Sequence, residues 1–265
     1  MSREIRIAAV IPARMASSRF PGKPLINVRG LPMIEHVRRR TLLCEGFSEV
    51  VVATCDRDIA DTVTSYRGKV VMTSTAHPTA TDRVAEAVQA LECSHVVNVQ
   101  GDEILVLPRD LDTMVRAVQD SPEERVWNAV ARIEDPAELG DRSIVKCVVS
   151  ATGRIVFCAR EFSRLPLDPK TGFEPARKIL GVMAYRRDFL PTYLGLARGP
   201  LEQAESLDQS RMLEHDIPFP SVLFSRGYLG INEPREVEIV QRYLADDPLQ
   251  QAILEELEIA SDRRP

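Results

Sequence analysis

The sequence predicts an α/β fold with a mostly parallel central sheet and helices on both faces of that sheet. Apolar β-branched runs alternate with amphipathic stretches over about the first 120 residues. Polar loops follow these apolar runs, as expected where parallel strands end. From about residue 125 onward β-branched runs separated by turns dominate. That change predicts a mixed sheet with a small antiparallel element.

The first half of the chain is predicted to contain four strands and four helices in alternation. The strands are expected at 5–13, 49–54, 69–72 and 95–103, the last running into a polar loop, and the helices at 33–44, 57–66, 81–91 and 108–120. The helix at 33–44 has Met33, Val37 and Leu42 among its apolar positions, and the helix at 108–120 begins with a proline. This order favours a parallel sheet because parallel strands need helical crossovers.

The second half is predicted to be rich in strands and to end in two helical stretches. Strands are expected at 127–133, 143–150, 154–160 and 179–185, and helical stretches at 201–215 and 234–258. The strands around 155–185 are interpreted as an antiparallel dimerisation flap. We expect one domain over residues 1–265, with a strand-rich subregion at about 125–190.

Composition excludes several classes of function. The chain is 44% hydrophobic and 28% charged, with a net charge of −5, which is typical of a globular protein and argues against nucleic acid as the main partner. No apolar run approaches the length of a membrane span, and no signal peptide is evident. The five cysteines form no CxxC pair, so we expect buried reduced thiols in a cytoplasmic protein rather than a zinc site.

The loop after the first strand carries the strongest chemical signal. IPARMASSRFPGKPL, residues 11–25, places Arg14, Arg19 and Lys23 within ten residues of each other. Such cations repel unless an anion or water separates them, and small backbone-exposing residues among them suit phosphate oxygens. The sequence matches neither GxxxxGK[ST] nor GxGxxG. We interpret the loop as a triphosphate site; the alternatives are a solvated basic turn, with Ser17 and Ser18 capping local turns.

A second polar loop, QGDE at residues 100–103, follows the fourth predicted strand. Loops at the carboxyl ends of parallel strands meet at one edge of the sheet, so Gln100, Asp102 and Glu103 are expected near the basic loop. An acidic side chain opposite phosphate-binding cations suits a Mg²⁺ that bridges the same phosphates. The alternative for Asp102 is an ordinary turn residue.

Several stretches along the sequence, taken together, resemble a known family. Seven stretches carry the resemblance: IPARMASSRFPGKPL, VVATCD, HPTATDR, VVNVQGDE, LGVMAYRRDFL, LEQAESLDQSRMLEH and GYLGINEPREVEIV. Together they resemble the CMP-Kdo synthetases (3-deoxy-manno-octulosonate cytidylyltransferases) over residues 5–245. The resemblance implies a homodimeric, Rossmann-like nucleotidyltransferase of the nucleotide-diphospho-sugar transferase type. Such an enzyme couples CTP to an acidic sugar with Mg²⁺ and releases pyrophosphate, which would place this chain in lipopolysaccharide biosynthesis.

The resemblance also implies roles for individual residues. It makes Arg14, Lys23 and Asp102 catalytic. The implied nucleotide-binding residues are Pro12, Ala13, Arg14, Ser17, Lys23, Thr79, Ala80, Thr81, Arg83 and Gln100. The implied acceptor-binding residues are Gln100, Arg160, Glu205 and Gln209, and the implied metal-binding residues are Asp102 and Asn232. Apart from the resemblance, the spacing of Glu205 and Gln209 predicts an i, i+4 pair on one helical face. The alternatives for this face are a ligand contact and a solvated helix surface.

The acceptor half of the sequence departs from the family pattern. Asn232 stands where the family has a second metal-side aspartate, with Glu233 as a possible substitute, and Ile179 stands where it has a sugar-contacting histidine. We therefore expect cytidylyl transfer to a Kdo-like acid. The first alternative is a different acid, such as phosphonoformate or another phosphonate in a natural-product pathway, held by the cations Arg160, Arg164, Arg177 and Lys178. The second is a catalytically decayed paralogue that only binds nucleotide.

Overall fold

The computed structural model describes residues 4–17, 19–162 and 176–262, with side chains as far as Leu257. The strands are β1 (Ile7–Ala13), β2 (Asn27–Val28), β3 (Leu31–Pro32), β4 (Glu49–Thr54), β5 (Lys69–Met72), β6 (His95–Val99), β7 (Val126–Arg132), β8 (Lys146–Val149), β9 (Arg154–Ala159), β10 (Ala176–Arg186) and β11 (Phe219–Leu223). The helices are α1 (Met33–Leu42), α2 (Arg57–Ser65), α3 (Ala80–Ala87), α4 (Pro108–Asp120), α5 (Leu190–Gly195), α6 (Pro200–Glu205), α7 (Asp208–Glu214), α8 (Glu236–Asp246) and α9 (Pro248–Asp262).

The chain divides into two compact units. The first unit comprises the residues up to Val115 together with those from Tyr228 onward, and the second unit comprises Arg116–Gly227. The strand-rich subregion expected at about 125–190 therefore belongs to a larger unit. It extends further because β11, which the sequence analysis did not predict, pairs in parallel with β7.

The first unit contains the parallel sheet that the sequence predicts. β1 lies between β4 and β6, and β5 pairs with the outer side of β4, all in parallel. Every residue of β1 is buried, as is typical of a parallel strand covered on both faces. Helices α1 and α3 pack against β1, and α2 packs against β4 and β5.

The second unit contains a mixed sheet, as expected from the change of pattern after residue 125. β10 pairs antiparallel with β7 and with β8, while β9 pairs antiparallel with β8 and β11. A hydrophobic cluster forms part of its core and comprises Ile133, Leu139, Ala159, Phe162 and Ala176, with Val148 packed against it. The predicted flap at 155–185 corresponds to β9 and β10; residues 163–175 between them, including Arg164, lie outside the described residues.

Each predicted C-terminal helical stretch is two helices. In the first, Ser206 adopts a φ of 55°, a left-handed conformation that ends α6 and lets the chain restart as α7. In the second, Asp247 is extended before Pro248, because proline disfavours helical backbone in the residue that precedes it.

No helix among the described residues combines the length and the apolar character needed to cross a bilayer. None of the five cysteines, all of which the structure describes, forms a disulfide, and four of them are buried, as the sequence predicts.

Candidate active site

The parallel pairing of β1 with β6 brings the two polar loops together. Val10 of β1 lies opposite Asn98 of β6, so the two strands end side by side. Gly101 sits so close to β1 that a Cβ there would lie 3.0 Å from the carbonyl oxygen of Pro12. A larger residue would therefore press on the backbone where the QGDE loop crosses the end of β1, which favours glycine there.

The two loops and the start of α3 enclose a cavity of about 260 Å³ in the first unit. It is lined by Pro12, Ala13, Arg14, Ser17, Arg19, Lys23, Pro24, Met33, Thr79, Ala80, Arg83, Gln100, Gly101 and Asp102. Nine of the ten residues predicted to bind nucleotide are in this set. The exception is Thr81, which is buried in the first turn of α3 with 1% of its surface exposed.

Backbone hydrogen bonds fold the basic loop into a compact turn. The N–H of Met15 donates to Asp56 Oδ2 at 2.8 Å, and the Met15 carbonyl accepts from the N–H of Ser17 at 3.0 Å and of Gly22 at 3.1 Å. Gly22 has a φ of 76°, which glycine adopts without strain. The Ser17 hydroxyl oxygen accepts from the N–H of Phe20, so its own hydrogen can still be donated to a ligand.

Lys23 and Asp102 form an ion pair at the cavity wall. Lys23 Nζ lies 3.0 Å from Asp102 Oδ2, and the two side chains are 14% and 21% exposed. The pair joins the basic loop to the acidic loop across 79 sequence positions. An incoming polyanion would compete with Asp102 for the ammonium group, which would release the carboxylate for another cation.

The N-terminus of α3 supplies backbone dipoles on another side of the cavity. Thr79 and Asp82 form a reciprocal capping box, with the Asp82 N–H donating to Thr79 Oγ1 at 3.2 Å and the Thr79 N–H donating to Asp82 Oδ2 at 2.9 Å. Arg83 lies nearly buried, and its guanidinium donates to Thr73 Oγ1 and to the carbonyl oxygen of Ser74. The positive end of a helix and a buried guanidinium both favour an anionic or carbonyl-rich ligand.

The segment after Tyr228 supports the acidic loop from the other side. The N–H of Ile231 donates to the carbonyl oxygen of Asp102 at 3.3 Å, and a Cβ on Gly230 would lie 2.7 Å from that same oxygen. Asn232 Oδ1 accepts from the guanidinium of Arg19 at 3.4 Å, and Glu233 pairs with Arg235 at 3.0 Å. Asn232 is thus held near Asp102 by the backbone, whereas the carboxylate of Glu233 is engaged elsewhere.

The donor set at Asp102 fits a magnesium ion whose other ligands come from phosphates. Among the described residues no cluster of three or more histidine, cysteine or acidic side chains could enclose a metal. Mg²⁺ is commonly held by one or two carboxylates plus the phosphates of a substrate. Asp102 supplies one carboxylate on the cavity wall, and Asn232 has a carbonyl oxygen that already accepts from Arg19.

The predicted acceptor residues of the second unit are held in polar contacts. The backbone N–H of Arg160 donates to Glu205 Oε2 at 3.0 Å, while its guanidinium donates to the carbonyl oxygens of Glu205 and Arg142, each at 3.0 Å. Gln209 Nε2 donates to Asn128 Oδ1 at 2.9 Å. The predicted i, i+4 pair is wrong: Glu205 is the last residue of α6 and Gln209 lies in α7, because the left-handed Ser206 separates the two helices.

Some cavity residues were not assigned to the site from the sequence. Arg19 was noted as one of three loop cations but received no role, although it lines the cavity and contacts Asn232. Its closeness in sequence to Arg14 and Lys23 was a signal from which the same role could have been predicted. Pro24, Met33 and Gly101 also line the cavity, and apolar or small residues of this kind have no sequence signature of ligand contact.

Comparison with known proteins identifies a family over most of the chain. A sequence model of the family described as Cytidylyltransferase matches residues 8–219. The 3-deoxy-manno-octulosonate cytidylyltransferase of Escherichia coli is 38% identical over 240 residues, covering 90% of this chain and 96% of that protein. The 8-amino-3,8-dideoxy-manno-octulosonate cytidylyltransferase of Shewanella piezotolerans is 36% identical, covering 92% of this chain and all of that protein.

A solved structure gives the same result at the level of the fold. The CMP:2-keto-3-deoxy-manno-octonic acid synthetase complexed with CTP superposes with a TM-score of 0.85 at 35% identity, covering 91% of this chain and 99% of that one. Both the sequence family and the fold therefore extend over most of the protein. The chain belongs to the cytidylyltransferase family.

Proposed function

We propose that this protein transfers the CMP group of CTP to the hydroxyl of a Kdo-like acid sugar and releases pyrophosphate. The observation that carries the proposal is the cavity of the first unit, which is lined by three cations, Arg14, Arg19 and Lys23, and by one carboxylate, Asp102. This arrangement of charges suits a triphosphate and its counter-ion. The relatives that share the fold over nine-tenths of the chain are named for CMP transfer to such sugars.

The reaction is an in-line displacement at the α-phosphorus of CTP. The hydroxyl oxygen of the acceptor sugar forms a new bond to the α-phosphorus as the bond between that phosphorus and the pyrophosphate oxygen breaks. The proton of this hydroxyl passes to solvent or to a nearby base. Arg14 and Lys23 hold the β- and γ-phosphates and neutralise the charge that builds on the leaving group. Ser17 donates its hydroxyl hydrogen to a phosphate oxygen, while Thr79, Ala80 and Arg83 hold the nucleoside.

The proposal includes Mg²⁺ held by Asp102, with Asn232 as a weaker neutral ligand. When bound, the ion adds positive charge at the phosphates and lowers the pKa of the attacking hydroxyl. Asp102 becomes available for this role when Lys23 exchanges its carboxylate partner for phosphate oxygens, because the ammonium group is a compact point charge on a flexible stem.

The second unit favours a sugar acid over a small phosphonate. A phosphonate site needs cations that are available to the ligand, but the three proposed cations that the structure describes have partners within the protein. Arg160 donates to the carbonyl oxygens of Arg142 and Glu205, Lys178 pairs with Glu138, and Arg177 donates to the carbonyl oxygen of Ala176. Arg164 lies outside the described residues.

Initial rates of pyrophosphate release from CTP with Mg²⁺ test the proposal. The acceptor panel is Kdo, 8-amino-3,8-dideoxy-manno-octulosonate, sialic acid and phosphonoformate, with UTP replacing CTP as the nucleotide control. We expect release with one or both eight-carbon acids and none with phosphonoformate. Release with phosphonoformate alone would support the phosphonate alternative, and absence of release with every acceptor, despite CTP binding, would support the decayed paralogue.

The proposal also includes a homodimer. Val156 and Phe157, adjacent residues of β9 whose side chains point to opposite faces of the strand, are 53% and 41% exposed. β9 therefore has an exposed apolar side chain on each of its faces, and a second chain that packed on either face would remove one of them from water. Light scattering after size-exclusion chromatography should give the mass of two chains; a monomer at micromolar concentration would contradict this part of the proposal.

A further inference from the structure

Asn128, a residue with no role in the proposed function so far, lies at an irregularity of the sheet in the second unit. It is fully buried on β7 and lies opposite Met183 of β10. Two positions further along β7, Val130 lies opposite Ile179, so β10 contains extra residues between Ile179 and Met183. Asn128 Nδ2 donates to the carbonyl oxygen of Leu180, within that irregularity, at 3.2 Å, and to that of Ala129 at 2.8 Å.

These two bonds fix which way the Asn128 amide points. A carbonyl oxygen can only accept, so the side of Asn128 that meets Leu180 and Ala129 must be its amino group. The Oδ1 atom then faces Gln209 of α7, and Gln209 must present its own amino group to it, at 2.9 Å. The same Nε2 atom lies 3.5 Å from the sulfur of Met183, which is also a weak acceptor.

Because Nε2 is engaged, the carbonyl oxygen Oε1 is the part of the Gln209 amide that remains for another hydrogen-bond donor. Gln209 is 8% exposed, and no group among the described residues donates to its Oε1. An amide held in this way accepts a hydrogen bond from a hydroxyl or ammonium group, and it disfavours a ligand that presents only anionic oxygens.

From this chain of contacts we infer that Asn128 is a positioning residue, which turns Gln209 so that Oε1 is presented to a hydroxyl of the acceptor. The inference rests on the proposed function and deepens it. It states which part of the acceptor substrate Gln209 recognises: a hydroxyl that donates a hydrogen bond, as in a polyhydroxylated sugar acid, rather than the acidic group. Two buried side chains 81 positions apart thereby set one element of acceptor specificity.

The kinetic test is a double-mutant cycle between Asn128→Leu and Gln209→Ala. Asn128→Leu keeps the branched shape of the side chain but removes the carbonyl oxygen that fixes Gln209. We expect a rise of about three- to tenfold in the acceptor KM, the range of one lost hydrogen bond, with the KM for CTP unchanged. In the Gln209→Ala background the same substitution should cause no further rise, because Asn128 then has nothing to orient.

A merely structural role predicts a different pattern, with acceptor KM raised by the same factor in both backgrounds. That result would overturn the inference. Ser221→Ala is the matched control, because Ser221 lies opposite Asn128 on β11 and donates to the carbonyl oxygen of Gly153 without touching Gln209. Its acceptor KM should equal that of the unmodified protein. Asn128→Ala replaces Asn128→Leu if leucine is not accommodated.

A second measurement is independent of catalysis and separates failure of the inference from failure of the proposed function. The side-chain amide protons of Gln209, observed by nitrogen-15 NMR, should exchange slowly with water in the unmodified protein and at least tenfold faster in Asn128→Leu. Protected protons without turnover on either eight-carbon acid would refute the proposed function but keep the orienting contact. Equal exchange rates in both proteins would overturn the inference even if Kdo is a substrate.

Discussion

At the scale of single residues, Lys23 has the contact most directly tied to the proposed chemistry. It is the partner of Asp102 and lines the same cavity as Arg14 and Ser17. The contact between Lys23 and Asp102 could not be predicted from spacing alone, because the two residues are far apart in sequence and only the register of β1 with β6 joins them. What the sequence did show was the local density of cations, which is a property of neighbouring positions.

We predict that Lys23→Ala lowers kcat/KM by about two to three decades, as is typical when one preorganised charge-stabilising group is lost. Lys69→Ala is the matched control, because Lys69 is a lysine of the same unit whose side chain is 69% exposed and whose carboxylate partner, Glu49, lies 3.6 Å away. Steady-state kinetics with varied CTP measures both. Unchanged kcat/KM in Lys23→Ala would remove Lys23 from the mechanism.

His36 gives a pH prediction at the same scale. It is fully buried on α1, its Nε2–H donates to the carbonyl oxygen of Val28 at 2.7 Å, and burial lowers its pKa from 6.5 to about 4. Between pH 6.5 and about pH 4, His36 is therefore protonated in the unfolded chain but neutral in the folded chain. Stability is fully present above pH 6.5 and is lost as the pH falls toward 4.

Urea unfolding at pH 7 and pH 5 measures this effect. The free energy of unfolding should fall by about 2 kcal/mol more in the unmodified protein than in His36→Gln, which cannot titrate. Other acidic and basic groups contribute equally to both proteins and cancel in the comparison. The same fall in both would mean that His36 is not the group responsible.

At the scale of elements, the strands and helices of the first unit follow from hydrophobic periodicity, but the interruptions of the C-terminal helices do not. Pro248 is a visible signal for the second interruption. Ser206 is not, because serine rarely adopts the left-handed conformation and nothing local predicts it. β11 was missed for a similar reason: it is five residues long and contains Pro220, so it lacks a strong strand pattern.

The close approach of the Tyr228–Asn232 segment to the QGDE loop gives a prediction for these elements. Gly230→Ala places a Cβ about 2.7 Å from the Asp102 carbonyl oxygen, so one of the two backbones must shift. Because Asp102 moves with its loop, we expect kcat/KM to fall by about tenfold to a hundredfold. Gly195→Ala, at the end of α5 with no atom within 4 Å of the added Cβ, should retain full activity. Equal activity of the two variants would contradict this account of the loop.

At the scale of the whole molecule, we predict that metal and nucleotide bind together. Asp102 is the single carboxylate among the residues that line the cavity, so Mg²⁺ alone should leave the melting temperature unchanged. CTP with Mg²⁺ at about a hundred times its Kd should raise the melting temperature by about 5 °C. Differential scanning fluorimetry measures both, and Asp102→Asn should lose the part of the shift that depends on Mg²⁺. An equal shift with Mg²⁺ alone would indicate a preformed metal site.

The proposed triphosphate site of the first unit could be predicted further than the proposed acceptor contacts of the second unit. Its residues lie in two loops that directly follow strands, where the parallel sheet determines their meeting place. The proposed acceptor contacts rest on buried hydrogen bonds such as that of Asn128 with Gln209, which joins β7 to α7. An asparagine inside an apolar run has no sequence signature of this kind, so its partner could be identified only from the structure.

The measurement that tests the central claim most directly is phosphorus-31 NMR of a reaction containing CTP, Mg²⁺ and Kdo. We predict that the CTP resonances disappear as pyrophosphate and one new phosphodiester, the CMP-sugar, appear in equal amounts. Formation of CMP or CDP instead, or persistence of CTP while the protein binds it, would contradict CMP transfer as the function of this chain.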